Sequence, residues 1–94
     1  MSQESVVKSL RDLKAKSLVK LFEIKRQLLE KYPEKAERIE RIIDLLAAKI
    51  HNLRAFTLSD YLFTLYQASK EFRELEELIP SPETISEILE REAS

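Results

Sequence analysis

Ninety-four residues with a formal net charge of −1 make one small domain, and an apolar fraction of 44% is too high for a disordered chain. The absence of cysteine excludes disulfides, thiolate nucleophiles and sulfur metal sites. The absence of glycine excludes the phosphate-cradling P-loop and dinucleotide fingerprints, and it argues against a β-rich fold, whose tight hairpin turns want glycine.

A chain of this size buries about 60–65% of its unfolded surface, so it needs good packing or a partner. Its uncharged runs are too short to span a bilayer, and the polar start Met1-Ser2-Gln3-Glu4 leads directly into a helical pattern. The expectation is a soluble, cytoplasmic protein that does not contact a membrane. Charged residues reach 35%, rich in Glu, Lys and Arg, with Asn52 the single asparagine. That balance points to a thermophilic prokaryote, although long helices favour the same residues.

The first predicted helix runs from about Ser5 to Lys31. Val6, Leu10, Leu13, Leu21, Ile24 and Leu28 recur at helical spacing, with Ser17 as the one polar interruption. A second stripe, Ala15, Leu18, Phe22 and Leu29, widens the apolar arc to roughly 200°, against about 100° for an ordinary surface helix. Such a helix is expected to be gripped from two sides. Tyr32-Pro33 ends it, because a residue before proline is pushed out of the α region.

Pro33 suits the first turn of a second helix. Ala36, Ile39, Ile43, Leu46, Ile50 and Leu53 then form a coiled-coil-like seam. A third seam, Leu58, Tyr61, Leu65, Ala68, Phe72, Leu75 and Ile79, is out of phase with the second. The phase jump predicts a turn at Thr57, with Asp60 three residues on as a weak capping box. The alternative is one kinked helix over residues 33–79, about 70 Å long, since no Gly or Pro forces the turn.

Pro80-Ser81-Pro82-Glu83 is the clearest punctuation, with Ser81 as N-cap and Pro82 as first helical residue. The last helix, about residues 82–92, is expected to bury Ile85, Ile88 and Leu89 and to fold back over the end of the third, covering Leu78. The predicted fold class is therefore all-α: an antiparallel three-helix bundle with a short fourth C-terminal helix, in one domain spanning residues 1–94.

No catalytic pattern emerges. His51 is the single histidine, in line with Glu40 and Asp44 and beside Glu37, but its spacing is poor for a metal and it has no recognisable nucleophile partner. The chain is read as a non-enzyme without cofactor or metal. Charge is divided along it: residues 1–54 carry a cationic surplus of five, residues 55–94 an anionic surplus of six. On the second helix Lys35, Arg38, Arg41 and Lys49 lie on one edge, and with Arg54 they form a candidate nucleic-acid surface. The competing reading is internal pairing between the basic and acidic halves.

Phe63 lies opposite the seam of the third helix, and Tyr66 partway round toward it. With Lys70, and with Leu45, Lys49 and Phe56 outside the second seam, it defines a candidate partner-binding set. The expected partner is another protein or a second copy, with nucleic acid contacted directly or through that partner. The run ERIERIIDLLAAKIHNLRAF, followed by a leucine–tyrosine helix, resembles helical subunits of archaeal replication complexes of the GINS family. The resemblance covers about half the chain and lies in helix composition. It implies an accessory subunit of a DNA-replication or other nucleic-acid-processing complex. A helical regulator or adaptor is the remaining alternative.

Overall fold

The structure is a computed structural model that describes the backbone of residues 2–93 and the side chains of residues 10–90. Four α-helices, α1 (Ser2–Lys31), α2 (Ala36–His51), α3 (Leu58–Glu71) and α4 (Pro82–Ala93), are joined through three 3₁₀ segments, Pro33–Lys35, Ala55–Thr57 and Arg73–Leu78. No strand occurs among the described residues. At 1.5 Å per residue α1 is about 45 Å long, and it sets the 48 Å length of a molecule only 20 × 19 Å across.

The breaks follow local chemistry. Tyr32 leaves the helical region at φ −129°, ψ 65°, and Pro33 opens a single 3₁₀ turn that delivers the chain into α2 at Ala36. Residues 33–79 are not one helix. Asn52 Nδ2 donates to the Ala48 carbonyl at 3.0 Å, helping to end α2, and Arg54 is extended. The expected Thr57–Asp60 capping box does not form. Instead the Thr57 hydroxyl points backwards, accepting from the Arg54 N–H at 2.8 Å and donating to the Arg54 carbonyl at 3.1 Å. Asp60 is drawn to Lys49 on α2. Ser81 does cap α4, its Oγ accepting from the Thr84 N–H at 3.2 Å.

Two expectations about the C-terminal third are overturned. The third helix does not continue to Ile79: it stops at Glu71, Phe72 is extended, and Arg73–Leu78 forms a 3₁₀ segment packed on α1. The reason lies in spacing. Phe72, Leu75 and Leu78, all buried, recur every three residues, which aligns them on a helix of three residues per turn and lets them drift apart on an α-helix. The Phe72 ring is seated 5.8 Å from that of Tyr32, with the Lys35 ammonium 5.8 Å above it.

The short fourth helix does not lie back over the end of α3 either. It packs on α1 and reaches the Ala55–Thr57 turn. Its Ile88 is buried and Ile85 half-buried, but Leu89, expected inside, is 41% exposed.

One core unites the elements. Leu21, Ile24 and Leu28 of α1 meet Ile39, Ile43, Leu46 and Ile50 of α2, Leu58, Tyr61 and Leu65 of α3, the extended Phe72, Leu75 and Leu78 of the 3₁₀ segment that follows it, and Ile88. Ser17, the polar interruption of the first stripe, is also buried and adjoins the Tyr61 hydroxyl. That hydroxyl is buried without a hydrogen bond of good geometry, and burial pushes the phenol up from its usual range, with Ser17 opposing in part. The second stripe of α1 divides: Leu18 and Leu29 are half-buried, while Ala15 and Phe22 remain outside. Val6 lies outside the described side chains.

Candidate interaction surface

Residues at positions 63, 66 and 70 fall three and four apart, so α3 presents Phe63, Tyr66 and Lys70 as one row on its outer side. Phe63 is 64% exposed and Tyr66 47%. They stay outside because the seam of α3 is already committed, with Leu58, Tyr61 and Leu65 facing the core. Glu74 and Glu77 would continue the outer side of a longer α3, but the helix ends at Glu71. They pair with α1 instead, through Lys31 at 3.1 Å and Lys20 at 3.4 Å.

The α2 members of the candidate set, Leu45 and Lys49, belong to a different place, where Arg38 of the nucleic-acid edge also lies. Arg38 and Lys49 reach across to α3, where they meet Glu71 at 3.0 Å and Asp60 at 2.6 Å. The same number of residues separates Arg38 from Lys49 as separates Asp60 from Glu71, so the two pairs set an antiparallel register. In that register Leu45, 50% exposed, lies opposite Thr64 in the shallow seam between the helices. Lys49 is only 26% exposed at its side chain, and its ammonium is engaged. Phe56, 76% exposed, stands at the turn that joins α2 to α3. The structure therefore gathers Phe63, Tyr66 and Lys70 on one face and places Leu45 and Lys49 at the α2–α3 seam, with Phe56 at its end.

The same ion pairs bear on the nucleic-acid edge. Of its five cations, Arg38 and Lys49 are paired internally, Lys35 lies over the rings of Tyr32 and Phe72, and Arg54 Nη1 donates to the Leu53 carbonyl at 3.0 Å. Arg41 is exposed on α2. Among the described residues the ion pairs Lys20–Glu77, Lys31–Glu74, Arg38–Glu71 and Lys49–Asp60 each join a cation of the basic half to an anion of the acidic half. Pairing holds the Lys31 ammonium and the Arg38 guanidinium above their ordinary ranges, through Glu74 and Glu71 respectively. The Glu74 carboxyl is held below its ordinary value, first by its own backbone N–H and also by Lys31, while partial burial opposes.

A cleft of about 430 Å³ opens where α1 meets the 3₁₀ segment and the start of α4. Asp12, Lys16 and Lys20 line one side and Glu77, Ser81 and Thr84 the other, so both signs of charge are present. His51 is exposed at the end of α2 and is not part of this cleft. No three Asp, Glu or His residues come together as a metal-binding group among the described residues. No helix among them is long and apolar enough to cross a membrane.

Two exposed side chains escaped the sequence reading of the surface. Val19 is 64% exposed and Phe22 56%. Phe22 was legible as part of an arc too wide for one neighbour, whereas Val19 falls outside both stripes and only its place on the helix wheel, next to Ala15 and Phe22, could have shown it. No family model, no curated protein and no solved structure matches this chain.

Proposed function

We propose that the chain is a non-catalytic helical protein–protein interaction module, an accessory subunit that offers the outer face of α3 to a partner protein. The observation that carries this reading is the pair of aromatic side chains, Phe63 and Tyr66, left exposed beside Lys70 on a helix whose apolar seam is fully used elsewhere. Burying one such ring contributes on the order of 2 kcal/mol, and aromatic residues are frequent anchors of interfaces. Leu45, Lys49 and Phe56 extend the surface along the α2–α3 seam. The assembly is of the DNA-replication or other nucleic-acid-processing kind that the run at residues 37–56 suggests, in the cytoplasm of a thermophilic prokaryote.

Direct nucleic-acid binding by Lys35, Arg38, Arg41, Lys49 and Arg54 is the weaker reading, because phosphate binding needs cations that are not already neutralised. Affinity capture from source lysate, with and without nuclease and with Phe63→Ala as control, tests the proposal. A stoichiometric protein that survives nuclease and is lost with Phe63→Ala supports it. Recovery of only nuclease-sensitive material sinks it.

A further inference from the structure

Two corners of the chain meet at one end of the bundle and are built alike. At Tyr32 (φ −129°, ψ 65°) α1 gives way to the 3₁₀ turn Pro33–Lys35, and at Phe72 (φ −126°, ψ 97°) α3 gives way to the 3₁₀ segment Arg73–Leu78. Their ring centroids are 5.8 Å apart. The difference lies in the next residue. Pro33 keeps Tyr32 out of the α region, whereas Arg73 places no such restriction on Phe72.

The second corner is a full reversal. α1 and α2 pack on each other across a single short turn, so they run antiparallel. The pairs Arg38–Glu71 and Lys49–Asp60 make α3 antiparallel to α2, so α3 runs in the direction of α1. Beyond Phe72, Glu74 meets Lys31 and Glu77 meets Lys20, so the chain now descends along α1. Local sequence does not demand this turn. The run FRELEEL at residues 72–78 has no Gly or Pro and is rich in strong helix formers. The seam Leu58, Tyr61, Leu65, Ala68, Phe72 and Leu75 passes through the corner at unbroken helical spacing. A 3₁₀ run of six residues is also longer than that geometry usually sustains.

We propose that Phe72 is a hinge through which two copies of the chain exchange their C-terminal segments, from Arg73 through α4. Phe72 becomes helical, the segment runs on in the direction of α3, and it packs on α1 of the second copy, related by a two-fold axis at this end of the bundle. The occupant is complementary because it is the same segment. Leu75, Leu78 and Ile88, buried in the core, fill the same places in the other copy, and Glu74 and Glu77 find its Lys31 and Lys20. Only the corner changes. Phe63, Tyr66 and Lys70 precede it, so the inference stands apart from the α3 reading.

Sedimentation velocity on the full chain, refolded from urea at millimolar and at low micromolar concentration, tests the proposal. The expected result is a dimer after concentrated refolding that dissociates slowly on dilution, since the core must open. Arg73→Pro suits the closed corner, where Phe72 is already extended and proline opens the 3₁₀ segment, but it blocks a helix running through. It should lower the dimer fraction roughly tenfold or more and leave the monomer folded by circular dichroism. A second experiment uses the ion pairs. Lys20→Glu with Lys31→Glu in one chain, and Glu74→Lys with Glu77→Lys in another, each set like charges together within a copy. When the two are refolded together, exchange restores the attractions on both sides, and native mass spectrometry should find the mixed dimer above its random share. A wild type that stays monomeric after concentrated refolding overturns the proposal. So does a folded Arg73→Pro chain that dimerises like the wild type, or a mixed dimer at no more than its random share. If Arg73→Pro does not fold, the charge variants decide.

Discussion

The hydroxyls of Ser17 on α1 and Tyr61 on α3 adjoin each other inside the core, and the tyrosine oxygen has no hydrogen-bond partner of good geometry. A buried hydroxyl without a bond carries the cost of its lost hydration. Tyr61→Phe removes that cost while keeping the ring that fills the core. The expected outcome is unchanged or increased stability, by up to about 1 kcal/mol, read from chemical denaturation. A loss of more than that would mean that the two hydroxyls are bonded.

The same tyrosine gives an alkaline signature. Burial raises its pKa in the folded state, so the unfolded chain releases the phenol proton first. The stability that Tyr61 contributes is full below the ordinary tyrosine value of about 10 and is lost as pH rises through the raised folded value. As pH rises from about 10 through the raised value, stability of the wild type should fall more steeply than stability of Tyr61→Phe, measured by urea titration at a series of pH values.

On the acid side the sign reverses. Glu74 has a depressed pKa in the folded state, so its contribution is present above the ordinary carboxylate range and disappears as pH falls through the lowered value. Glu74→Gln should flatten the acid limb of the stability profile. Lys31→Met should flatten it less, because the carboxylate keeps its own backbone N–H as the larger cause of the shift.

Phe63 and Leu65 are two residues apart and should behave oppositely. Leu65 is fully buried, and Leu65→Ala is expected to cost about 2–5 kcal/mol of folding stability. Phe63→Ala should change thermal unfolding little, yet weaken partner capture by roughly tenfold or more. Melting curves and capture run on both variants separate the two roles.

Removing the Ser81 hydroxyl tests how α4 is held. Ser81→Ala deletes the bond to the Thr84 N–H and should destabilise the domain by about 1 kcal/mol, seen as a lower denaturation midpoint. Ser81→Gly or Ser81→Asp should recover most of the loss.

Much of this molecule was legible because its strongest signals are local. Proline at 33 and 82, the Ser81 cap and the phase jump before Leu58 each act on a few neighbouring residues, and each marks a boundary where the chain does break. The misplaced elements depended on distant partners. Phe72 turns out of the helix to meet the Tyr32 ring, and beyond it Glu74 and Glu77 meet Lys31 and Lys20 of α1, partners that local spacing does not reveal. The three-residue spacing of Phe72, Leu75 and Leu78 was visible, but a neighbouring choice, Ile79, fitted an α-helix equally well.

The candidate surface was read less completely for the same reason. Phe63 could be placed from α3 alone, since its exposure needs only the seam on the opposite side. The engagement of Arg38 and Lys49 could not, because it requires the register between α2 and α3. Ser17 looked like a flaw in a hydrophobic stripe until Tyr61 was found beside it.

The length of α1 also sets how far its contacts reach along the chain. α2 is about half as long, and α4, which begins only at Pro82, also packs on α1. One helix is therefore covered both by its immediate successor and by a segment brought back over a long loop. Closing the long loop costs more chain entropy than closing the short one, so the α1–α4 contact is expected to form after the α1–α2 contact.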